Sequence, residues 1–467
     1  MAKLSVLVPV FNEVHTLEET VARVLRAPVD MDLEVVVVDD GSTDGSGALA
    51  DRLAARDRRV VALHQDANRG KGAAISRAVA AASGEYGIVQ DADLEYDPED
   101  FPALLAPLTA GLADAVYGSR FTGPERRVHL YWHQVANRLL TTVSNMLTNL
   151  NLTDMETGYK AFKMDLLKVI PIRSRRFGIE PEITAKLARL GARLYEVPIR
   201  YHGRPPWEGK KISWKDGLAA LWWMVKFRFF DRNFTSHDGL RSLITMGKAA
   251  RYNRWLARRI VPFVGRRVLE AGAGIGNLSR YLLGAERLVL AERDELCLDF
   301  LRRRFGRLSD VRVYAMDLAD PRGYEPLAGE RLDTVVCSNV LEHIRDDEGT
   351  LRSFHDILAP GGHAVILVPA GRWLYGAMDR AVGHVRRYSK RELRRKLAAA
   401  GFEVERLGGI NRASVPGWFV NGVILRRREV SPMQVRIVDN LITFVRLADW
   451  LLPWPGLSLV AVGRKPG

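Results

Sequence analysis

Two short stretches decide the fold of this 467-residue chain: VVVVDDGSTDG at 35–45 and VLEAGAGIG at 268–276. Each combines an apolar run with carboxylates and a glycine-rich turn. Runs rich in valine and leucine are typical of buried parallel strands, and the tight turns that follow them favour glycine. Ligands bind at the carboxyl ends of such strands in open α/β sheets. The two stretches therefore predict two α/β domains, each with a ligand site at one edge of its sheet.

Strand and helix signals alternate on both sides of these stretches. The predicted strands fall near 4–8, 33–39, 60–64, 86–90, 115–118, 267–270, 287–291, 311–314, 334–338, 363–368 and 457–462. This alternation is typical of α/β layers, and the length of the chain fits two domains of roughly 200–250 residues. We therefore predict two doubly wound domains, at 1–235 and 251–467, joined by a linker at 236–250.

The charge of the chain is unevenly distributed. Residues 1–235 hold 31 Lys and Arg against 30 Asp and Glu, so most of the net charge of +14 belongs to the second half. A basic surface indicates an anionic partner such as lipid headgroups or a phosphorylated substrate, although a general preference for arginine would give the same excess. Because no basic segment is interleaved with aromatic residues in a nucleic-acid motif, we expect no nucleic-acid partner.

Cysteine usage and apolar runs bear on location. The chain has two cysteines, Cys297 and Cys337, and enters its first strand without a signal peptide, so we expect a cytoplasmic protein. No apolar run reaches the roughly 20 residues that a spanning helix needs. The segment 218–230, which Lys226 and Arg228 interrupt, is either a core helix or an interfacial one.

Acidic turns follow two of the strands predicted in the first half. Asp40 ends the valine run, and DAD at 91–93 follows a later strand. Carboxylates one residue apart suit a hard divalent cation that bridges a diphosphate. Between them NRGKG at 68–72 opens a helix, and a glycine-rich backbone with Lys71 beside a helix N-terminus favours phosphate. The first half therefore predicts a site for a nucleotide-sugar and a metal ion.

These motifs, taken in order, resemble those of a known family. VPVFNE at 8–13, DDGSTDGS at 39–46, NRGKG at 68–72 and DAD at 91–93 resemble the family-2 glycosyltransferases of the GT-A fold. Further matching blocks lie at 118–121, 149–162, 177–182 and 208–212. Within that family the blocks are similar to those of polyprenyl-phosphate (dolichyl-phosphate) mannosyl- and glucosyltransferases. The resemblance implies inverting transfer of mannose or glucose from a GDP- or UDP-hexose to polyprenyl phosphate.

The resemblance also implies roles for individual residues. It assigns nucleotide-sugar binding to Pro9, Phe11, Glu13, Asp40, Lys71, Asp91, Ala92, Asp93, Arg120 and Lys210. Asp91, Asp93, Arg120 and Lys210 would act in catalysis, and Asp91, Asp93 and Glu95 would hold Mg²⁺ or Mn²⁺. Near an amphipathic segment, Arg126, Arg127 and His133 are suited to grip the acceptor phosphate; the alternative is a solvated basic turn.

In the second half, Gly272, Gly274 and Gly276 follow an apolar strand that carries Glu270. The dinucleotide fingerprint G-x-G-x-x-G needs a sixth-position glycine, where this chain has Asn277. The alternating glycines instead resemble motif I of class I methyltransferases, in particular the ubiquinone-biosynthesis type. The resemblance implies a Rossmann-like domain that binds S-adenosylmethionine through Glu270, Gly272, Gly274, Gly276, Glu292, Asp317 and Asn339.

The sequence also offers candidate residues for the methyl acceptor. His343 and His384 are candidate bases for a nucleophile that carries a proton, with a structural role for His343 as the alternative. Arg386 and Arg387 would clamp an anionic acceptor, unless they are exposed charges at the start of a helix. Ser389 is predicted to cap that helix.

The two halves together predict a bifunctional enzyme. We expect it to be peripheral at the cytoplasmic face of the membrane and to meet the bilayer through the segment 214–230 and basic surface. Two alternatives stay open. In one, the glycosyltransferase acts on a polysaccharide instead of polyprenyl phosphate. In the other, the second domain is a non-catalytic S-adenosylmethionine-binding or docking module.

Overall fold

Buried strands of valine and leucine lie at the centre of each half of the molecule. The structure is a computed structural model that describes residues 2–123, 130–174, 178–203, 214–231, 234–429 and 431–467. The chain divides into two units, Met1–Ser236 and His237–Gly467.

The first unit contains one seven-stranded sheet. Its strands are β1 Lys3–Val10, β2 Asp32–Asp39, β3 Val60–His64, β4 Tyr86–Val89, β5 Ala115–Ser119, β6 Lys160–Lys163 and β7 Leu194–Pro198, in the order β3-β2-β1-β4-β6-β5-β7. β6 runs antiparallel to both of its neighbours, and the other pairings are parallel. All four valines from Val35 to Val38 are fully buried, because helices cover both faces of the sheet at β2.

The helices of the first unit connect and flank these strands. They are α1 Leu17–Leu25, α2 Ser46–Arg56, α3 Lys71–Ala81, α4 Phe101–Thr109, α5 Tyr131–Thr148, α6 Met164–Lys168, α7 Ile179–Leu190 and α8 Trp214–Val225. The last of them continues into a π-helical turn, Lys226–Phe230. This turn buries Phe227 and leaves Phe229 and Phe230 exposed, so the segment has one apolar side in the core and another outside it.

The second unit contains a second seven-stranded sheet. Its strands are β8 Arg267–Ala271, β9 Arg287–Glu292, β10 Val311–Ala315, β11 Leu332–Ser338, β12 Leu358–Pro369, β13 Glu403–Ile410 and β14 Ser458–Arg464, in the order β10-β9-β8-β11-β12-β14-β13. β14 is antiparallel to both of its neighbours. The prediction of two α/β domains is confirmed, with mixed sheets in both.

The helices of the second unit are α9 Asp238–Gly247, α10 Ala250–Ile260, α11 Glu295–Phe305, α12 Asp347–Ile357, α13 Ala377–Ala381, α14 Lys390–Ala399, α15 Val415–Trp418, α16 Pro432–Asn440 and α17 Ile442–Leu451. As predicted, Ser389 caps α14: its hydroxyl accepts from the Glu392 N–H at 3.2 Å. The segment 236–250 differs from the expected linker because it contains α9. His237 caps that helix by accepting from the Leu240 N–H, and the Leu240 side chain is buried.

None of the described helices has both the length and the apolar character needed to cross a bilayer.

Candidate functional sites

The first candidate site lies at the carboxyl ends of β1, β2 and β4, which are neighbours in the sheet. The loop after β1 is joined to the loop after β2: the Asn12 side-chain carbonyl accepts from the Thr43 N–H at 2.8 Å, and the Glu13 N–H donates to the Ser46 hydroxyl at 2.9 Å. Pro9 lies within β1, opposite Val38 of β2. The structure therefore brings Pro9, Phe11, Glu13 and Asp40 to one edge of the sheet.

Asp40 is the buried centre of this edge. Its carboxylate accepts from the Arg69 and Gly70 N–H groups at 2.8 and 2.7 Å, and from the Gln65 amide at 2.8 Å. Two of these donors belong to the NRGKG segment that precedes α3. Asp40 therefore fixes the position of the loop that presents Lys71.

The acidic loop follows β4. Among the described residues, the structure brings three potential metal-ligand atoms within 4.8 Å of one another only at Glu342, His343 and His384, so Asp91, Asp93 and Glu95 do not converge as a triad. The Glu95 carboxylate accepts a hydrogen bond from the Tyr201 hydroxyl at 2.9 Å. Tyr201 follows the carboxyl end of β7 by three residues. All three carboxylates are partly exposed. Their oxygen donors fit Mg²⁺ or Mn²⁺ in kind.

Lys71 contacts the acidic loop directly. Its ammonium lies 2.9 Å from the Asp91 carboxylate and 3.4 Å from that of Glu180 on α7. Burial would lower the pKa of Lys71, but the carboxylates of Asp91 and Glu180 outweigh it and raise the pKa. The cation is therefore retained, and it neutralises Asp91 where a divalent ion is predicted.

Arg120 is held by a buried carboxylate rather than directed freely into the site. Its guanidinium makes two hydrogen bonds with Asp154, at 2.6 and 2.8 Å, and lies over the Tyr201 ring. Burial would raise the pKa of Asp154, but the adjacent Arg120 charge brings that pKa below its usual value. Arg120 can reach a diphosphate only by an edge that Asp154 does not occupy.

Three other predicted residues, Lys210, Arg126 and Arg127, lie outside the described residues. His133 is exposed in the first turn of α5.

Sequence reasoning missed two ionisable groups beside this site, the buried Lys160 and the half-buried Glu156. The Lys160 ammonium donates to the carbonyls of Met155 and Thr157, and one oxygen of Glu156 has no hydrogen-bond partner among the described residues. Burial raises the pKa of Glu156 and lowers that of Lys160. Both residues lie inside the block 149–162 that resembles the glycosyltransferase family, and this position was the signal in the sequence that could have identified them.

The second candidate site begins at the glycine loop after β8. Gly272 and Gly276 have φ angles of +74° and +79°, a region that favours glycine. A Cβ on Gly272 would lie 2.4 Å from the Val340 side chain, and one on Gly276 would lie 2.3 Å from Phe305. The glycines therefore allow the loop to pack closely between α11 and the loop after β11.

The predicted S-adenosylmethionine ligands lie at the ends of adjacent strands. Glu292 ends β9 and accepts from the Gly274 N–H at 2.8 Å, so it is tied to the glycine loop. Asp317 follows β10 and Asn339 follows β11, and both side chains are exposed. Because β10, β9, β8 and β11 are consecutive in the sheet, these residues share one edge with the glycines.

Two buried carboxyl groups of this unit lack partners. One oxygen of Glu270 and both oxygens of Glu342 have no hydrogen-bond partner among the described residues. Burial raises the pKa of each to about 8. A buried acid at Glu270 with an unpartnered oxygen, on the strand that leads into the glycine loop, fits a site for S-adenosylmethionine, whose sulfonium is a cation.

Glu342 also belongs to a cluster with both predicted histidines. The His384 Nε2 atom lies 3.7 Å from the Glu342 carboxylate, and its Nδ1 atom lies 2.8 Å from Asp379. The His343 and His384 rings meet edge to face at 4.8 Å between centroids. Burial, followed by the proximity of His384, lowers the pKa of His343 to about 4. Chemically, the cluster is suited to accept a proton or to ligate a transition metal.

The two predicted clamp arginines have different partners. Arg387 is buried and pairs with Asp379 at 2.8 Å, whereas Arg386 pairs with Asp347 at 3.0 Å. Arg387 is therefore committed to the protein interior, the two guanidinium groups pair with different carboxylates, and their joint grip on an anion stays a prediction. Arg387 holds the Asp379 carboxylate, which also contacts His384.

Comparisons with known proteins agree with this division. The model for glycosyl transferase family 2 matches residues 5–170, and a methyltransferase-domain model matches residues 247–407. The undecaprenyl-phosphate mannosyltransferase of Micrococcus luteus is 34% identical over 243 residues, which cover 46% of this chain and 94% of that protein. The polyprenol monophosphomannose synthase of Mycolicibacterium smegmatis is 32% identical over 212 residues, 43% of this chain and 77% of that protein.

Among solved structures, glucosyl-3-phosphoglycerate synthase from Mycobacterium tuberculosis, in complex with Mn²⁺, UDP and product, aligns with a TM-score of 0.39 at 20% identity, covering 49% of this chain and 80% of that one. The sequence relatives above cover the first half almost to its end. The chain therefore belongs to the family-2 glycosyl transferases through its first unit, and it carries a methyltransferase domain in its second.

Proposed function

We propose that the first unit transfers mannose or glucose from a GDP- or UDP-hexose to polyprenyl phosphate, and that the second transfers a methyl group from S-adenosylmethionine. The observation that supports the first transfer most is the assembly of Asp40, Lys71 and Asp91 at one sheet edge in a chain similar to two polyprenyl-phosphate mannosyltransferases. Mg²⁺ or Mn²⁺ would be held by Asp91 and Asp93 with Glu95, and would stabilise charge on the departing diphosphate.

The residues of the first unit supply charge rather than a base. The acceptor phosphate is already an anion, so its oxygen can attack the anomeric carbon while the bond to the diphosphate breaks. Lys71 keeps its proton throughout, because Asp91 and Glu180 raise its pKa. Asp91 would hold the metal ion, and Lys71, which lies 2.9 Å from Asp91, would supply positive charge to the diphosphate. His133, with Arg126 and Arg127, would contact the acceptor phosphate.

A transfer assay tests this proposal. Purified protein is incubated with Mg²⁺, radiolabelled GDP-mannose or UDP-glucose, and detergent-solubilised undecaprenyl phosphate, followed by chloroform–methanol extraction. We expect label in the organic phase that Asp93→Asn abolishes. Asp66→Asn is the matched control, because the Asp66 side chain is 97% exposed and should tolerate the change.

The outcomes separate the acceptor from the reaction. Donor hydrolysis that depends on Asp93, without label in the organic phase, would discard the lipid acceptor and favour a polysaccharide. If the wild-type protein neither transfers nor hydrolyses the donor sugar, the proposal that the first unit is a sugar transferase fails.

For the methyl transfer we propose that His384 is the proton acceptor. Asp379 holds its Nδ1 atom, and this leaves Nε2 to take the proton of an acceptor hydroxyl as the oxygen attacks the methyl carbon and the carbon–sulfur bond breaks. Burial would raise the pKa of Asp379, but His384 and the Arg387 charge bring it below its usual value, so it can stabilise the imidazolium. His343 stays neutral beside it.

Calorimetric titration with S-adenosylmethionine tests the second site without a known acceptor. We expect saturable binding that Glu292→Gln weakens and His384→Asn leaves unchanged, because His384 acts on the acceptor. Absence of binding to the wild-type protein would favour a docking module without turnover. The labelled glycolipid from the first assay is the first acceptor to offer.

We also propose a peripheral position at the cytoplasmic face of the membrane. Exposed Trp222, Phe229 and Phe230 support a contact through 214–230, as predicted from the sequence. Flotation with liposomes is the measurement, and failure to float at low salt would remove this part of the proposal.

A further inference from the structure

The segment 411–457, between β13 and β14, carries an apolar surface that no predicted site uses. In α17, Ile442 and Val445 are buried against the core of the second unit. On other sides of the same helix, Phe444 and Trp450 are 67% and 82% exposed. A helix that is apolar on more than one side is usually covered on each of them. Within the described residues, only the side of α17 that carries Ile442 and Val445 is covered by other parts of the protein.

The helix before it repeats this arrangement. On α16, Met433 and Ile437 are exposed four residues apart, and Leu441 follows them at the same interval. Val435 of the same helix is buried. The exposed apolar residues of the segment, which we call the apolar face, are Val420, Ile424, Leu425, Met433, Ile437, Leu441, Phe444, Leu447, Trp450, Leu451 and Trp454. Exposed apolar patches of this extent mark interaction surfaces in soluble proteins.

In the same segment the acidic side chains have partners, whereas the exposed arginines have no ion-pair partner among the described residues. Its acids are occupied by the second unit: Glu429 pairs with Arg241 at 3.3 Å, Asp439 accepts from the Tyr252 N–H, and Asp449 accepts from the Arg412 N–H. Its exposed bases are Arg426, Arg427, Arg428, Arg436 and Arg446, and none of them is ion-paired with a described residue. The outer charge of the segment is therefore positive.

We propose that the apolar face, with these five arginines, docks on a bilayer that contains anionic lipids. Tryptophan and phenylalanine favour the boundary between headgroups and acyl chains, and arginines beside them attract anionic headgroups. A second copy of this chain is a poorer occupant, because it would set five unpaired arginines against five more. The inference goes beyond the proposed contact through 214–230, since it gives the methyltransferase unit a membrane surface of its own.

Sedimentation with sucrose-loaded vesicles tests it on the full chain. One vesicle preparation is phosphatidylcholine alone, and the other is equal parts phosphatidylcholine and phosphatidylglycerol. We expect preferential binding to the second, with a partition coefficient that Phe444→Ser/Trp450→Ser lowers by about tenfold or more. Leu112→Ser/Leu308→Ser, which changes exposed apolar residues outside the face, is the matched control and should bind as the wild type does.

A charge variant separates the two contributions. Replacing Arg426, Arg427 and Arg428 with glutamine should remove most of the preference for phosphatidylglycerol, while weak binding to both vesicles persists. All of the altered side chains are exposed, and an unchanged melting temperature confirms that each variant is folded.

Three results would overturn the inference. They are no vesicle binding by the wild type at low salt, binding that the Phe444→Ser/Trp450→Ser variant keeps in full, or a concentration-dependent dimer that this variant loses. The last would assign the face to a second copy. Because the vesicles contain no polyprenyl phosphate, each of these results leaves the transfer assay in detergent unaffected.

Discussion

Three carboxylates at the first sheet edge and two carboxyl groups at the second differ in how their charge is compensated. At the first edge, Asp40 accepts three hydrogen bonds, Asp91 pairs with Lys71, and Asp154 pairs with Arg120. At the second edge Glu270 and Glu342 are buried, and one oxygen of Glu270 and both oxygens of Glu342 lack hydrogen-bond partners among the described residues. The pKa of Asp154 is therefore lowered, while those of Glu270 and Glu342 rise to about 8.

This difference corresponds to the charge of the proposed ligands. A diphosphate with a divalent ion brings both signs of charge, and the first edge already offers cations and anions that can exchange partners. S-adenosylmethionine brings a sulfonium cation, and the second edge offers carboxyl groups that hold protons until a cation displaces them. An uncompensated buried carboxylate is costly, and burial accordingly raises the pKa of both groups.

The largest effect is expected when pairing at the first edge is broken. Asp154→Asn leaves the Arg120 guanidinium, whose side chain is 14% exposed, without its carboxylate. We expect the first unit to lose about 3–5 kcal/mol of unfolding free energy, because an uncompensated charge remains buried. Chemical denaturation of the full chain measures this, and the affinity for S-adenosylmethionine should not change. A loss below about 1 kcal/mol would mean that Arg120 finds water or another partner.

The next effect comes from removing an unpartnered acid at the second edge. The folded-state pKa of Glu270, about 8, lies above its ordinary value of 4.5, so the folded protein keeps a proton that the unfolded chain releases. This contribution to stability is complete below about pH 4.5 and is lost as the pH rises towards 8. At pH 7.5, Glu270→Gln should therefore raise the unfolding free energy of the ligand-free protein by roughly 4 kcal/mol.

The pH profile provides the control for this variant. Between pH 5.5 and 8 the melting temperature of the wild-type second unit should fall more steeply than that of Glu270→Gln. The same variant should bind S-adenosylmethionine more weakly, since the amide cannot become an anion. Parallel pH profiles for the two proteins would contradict a raised pKa at Glu270.

A smaller effect is expected from making the first edge resemble the second. Lys71→Met removes the cation between Asp91 and Glu180, and should cost about 1–2 kcal/mol because the Lys71 side chain is 26% exposed. Mg²⁺ should then raise the melting temperature of the variant more than that of the wild type, since Asp91 is released. Equal shifts with Mg²⁺ would indicate that Asp91 does not bind the ion.

The smallest effect is expected at Arg386. Its partner Asp347 is also held by Lys396 at 2.6 Å and by the Tyr388 hydroxyl at 2.6 Å. Arg386→Gln should therefore change the unfolding free energy by less than about 1 kcal/mol. Lys396→Met, which removes a buried partner of the same carboxylate, should cost more. A reversed order would show that Arg386 has a role that its contacts do not indicate.

The sequence was sufficient where a site depends on strand ends. Asp40 and Glu292 follow or end runs of buried residues, and parallel neighbours in a sheet bring such residues to one edge. It was insufficient where a partner comes from a distant element. Lys71 was assigned to phosphate, and its contact with Glu180 on α7 depends on how helices cover the sheet.

Local pattern was insufficient for other reasons elsewhere. Arg386 and Arg387 are adjacent in a segment that is not helical, and they pair with different carboxylates. β13 was not predicted because its sequence, EVERLGGI, places charges and two glycines where strands usually carry apolar residues. The segment around α9 carries apolar residues at helical spacing, Leu240, Leu243 and Ile244, but was assigned to a linker; Leu240 and Ile244 are buried there.

The claim that one chain holds two independent transfer sites is tested most directly by crossing two variants with two measurements. Wild type, Asp93→Asn and Glu292→Gln are each assayed for label transfer to undecaprenyl phosphate and for binding of S-adenosylmethionine. We predict that Asp93→Asn loses transfer by about a thousandfold and binds S-adenosylmethionine normally, while Glu292→Gln shows the reverse. If either variant loses both properties while its melting temperature is unchanged, or if wild type shows neither, the account is contradicted.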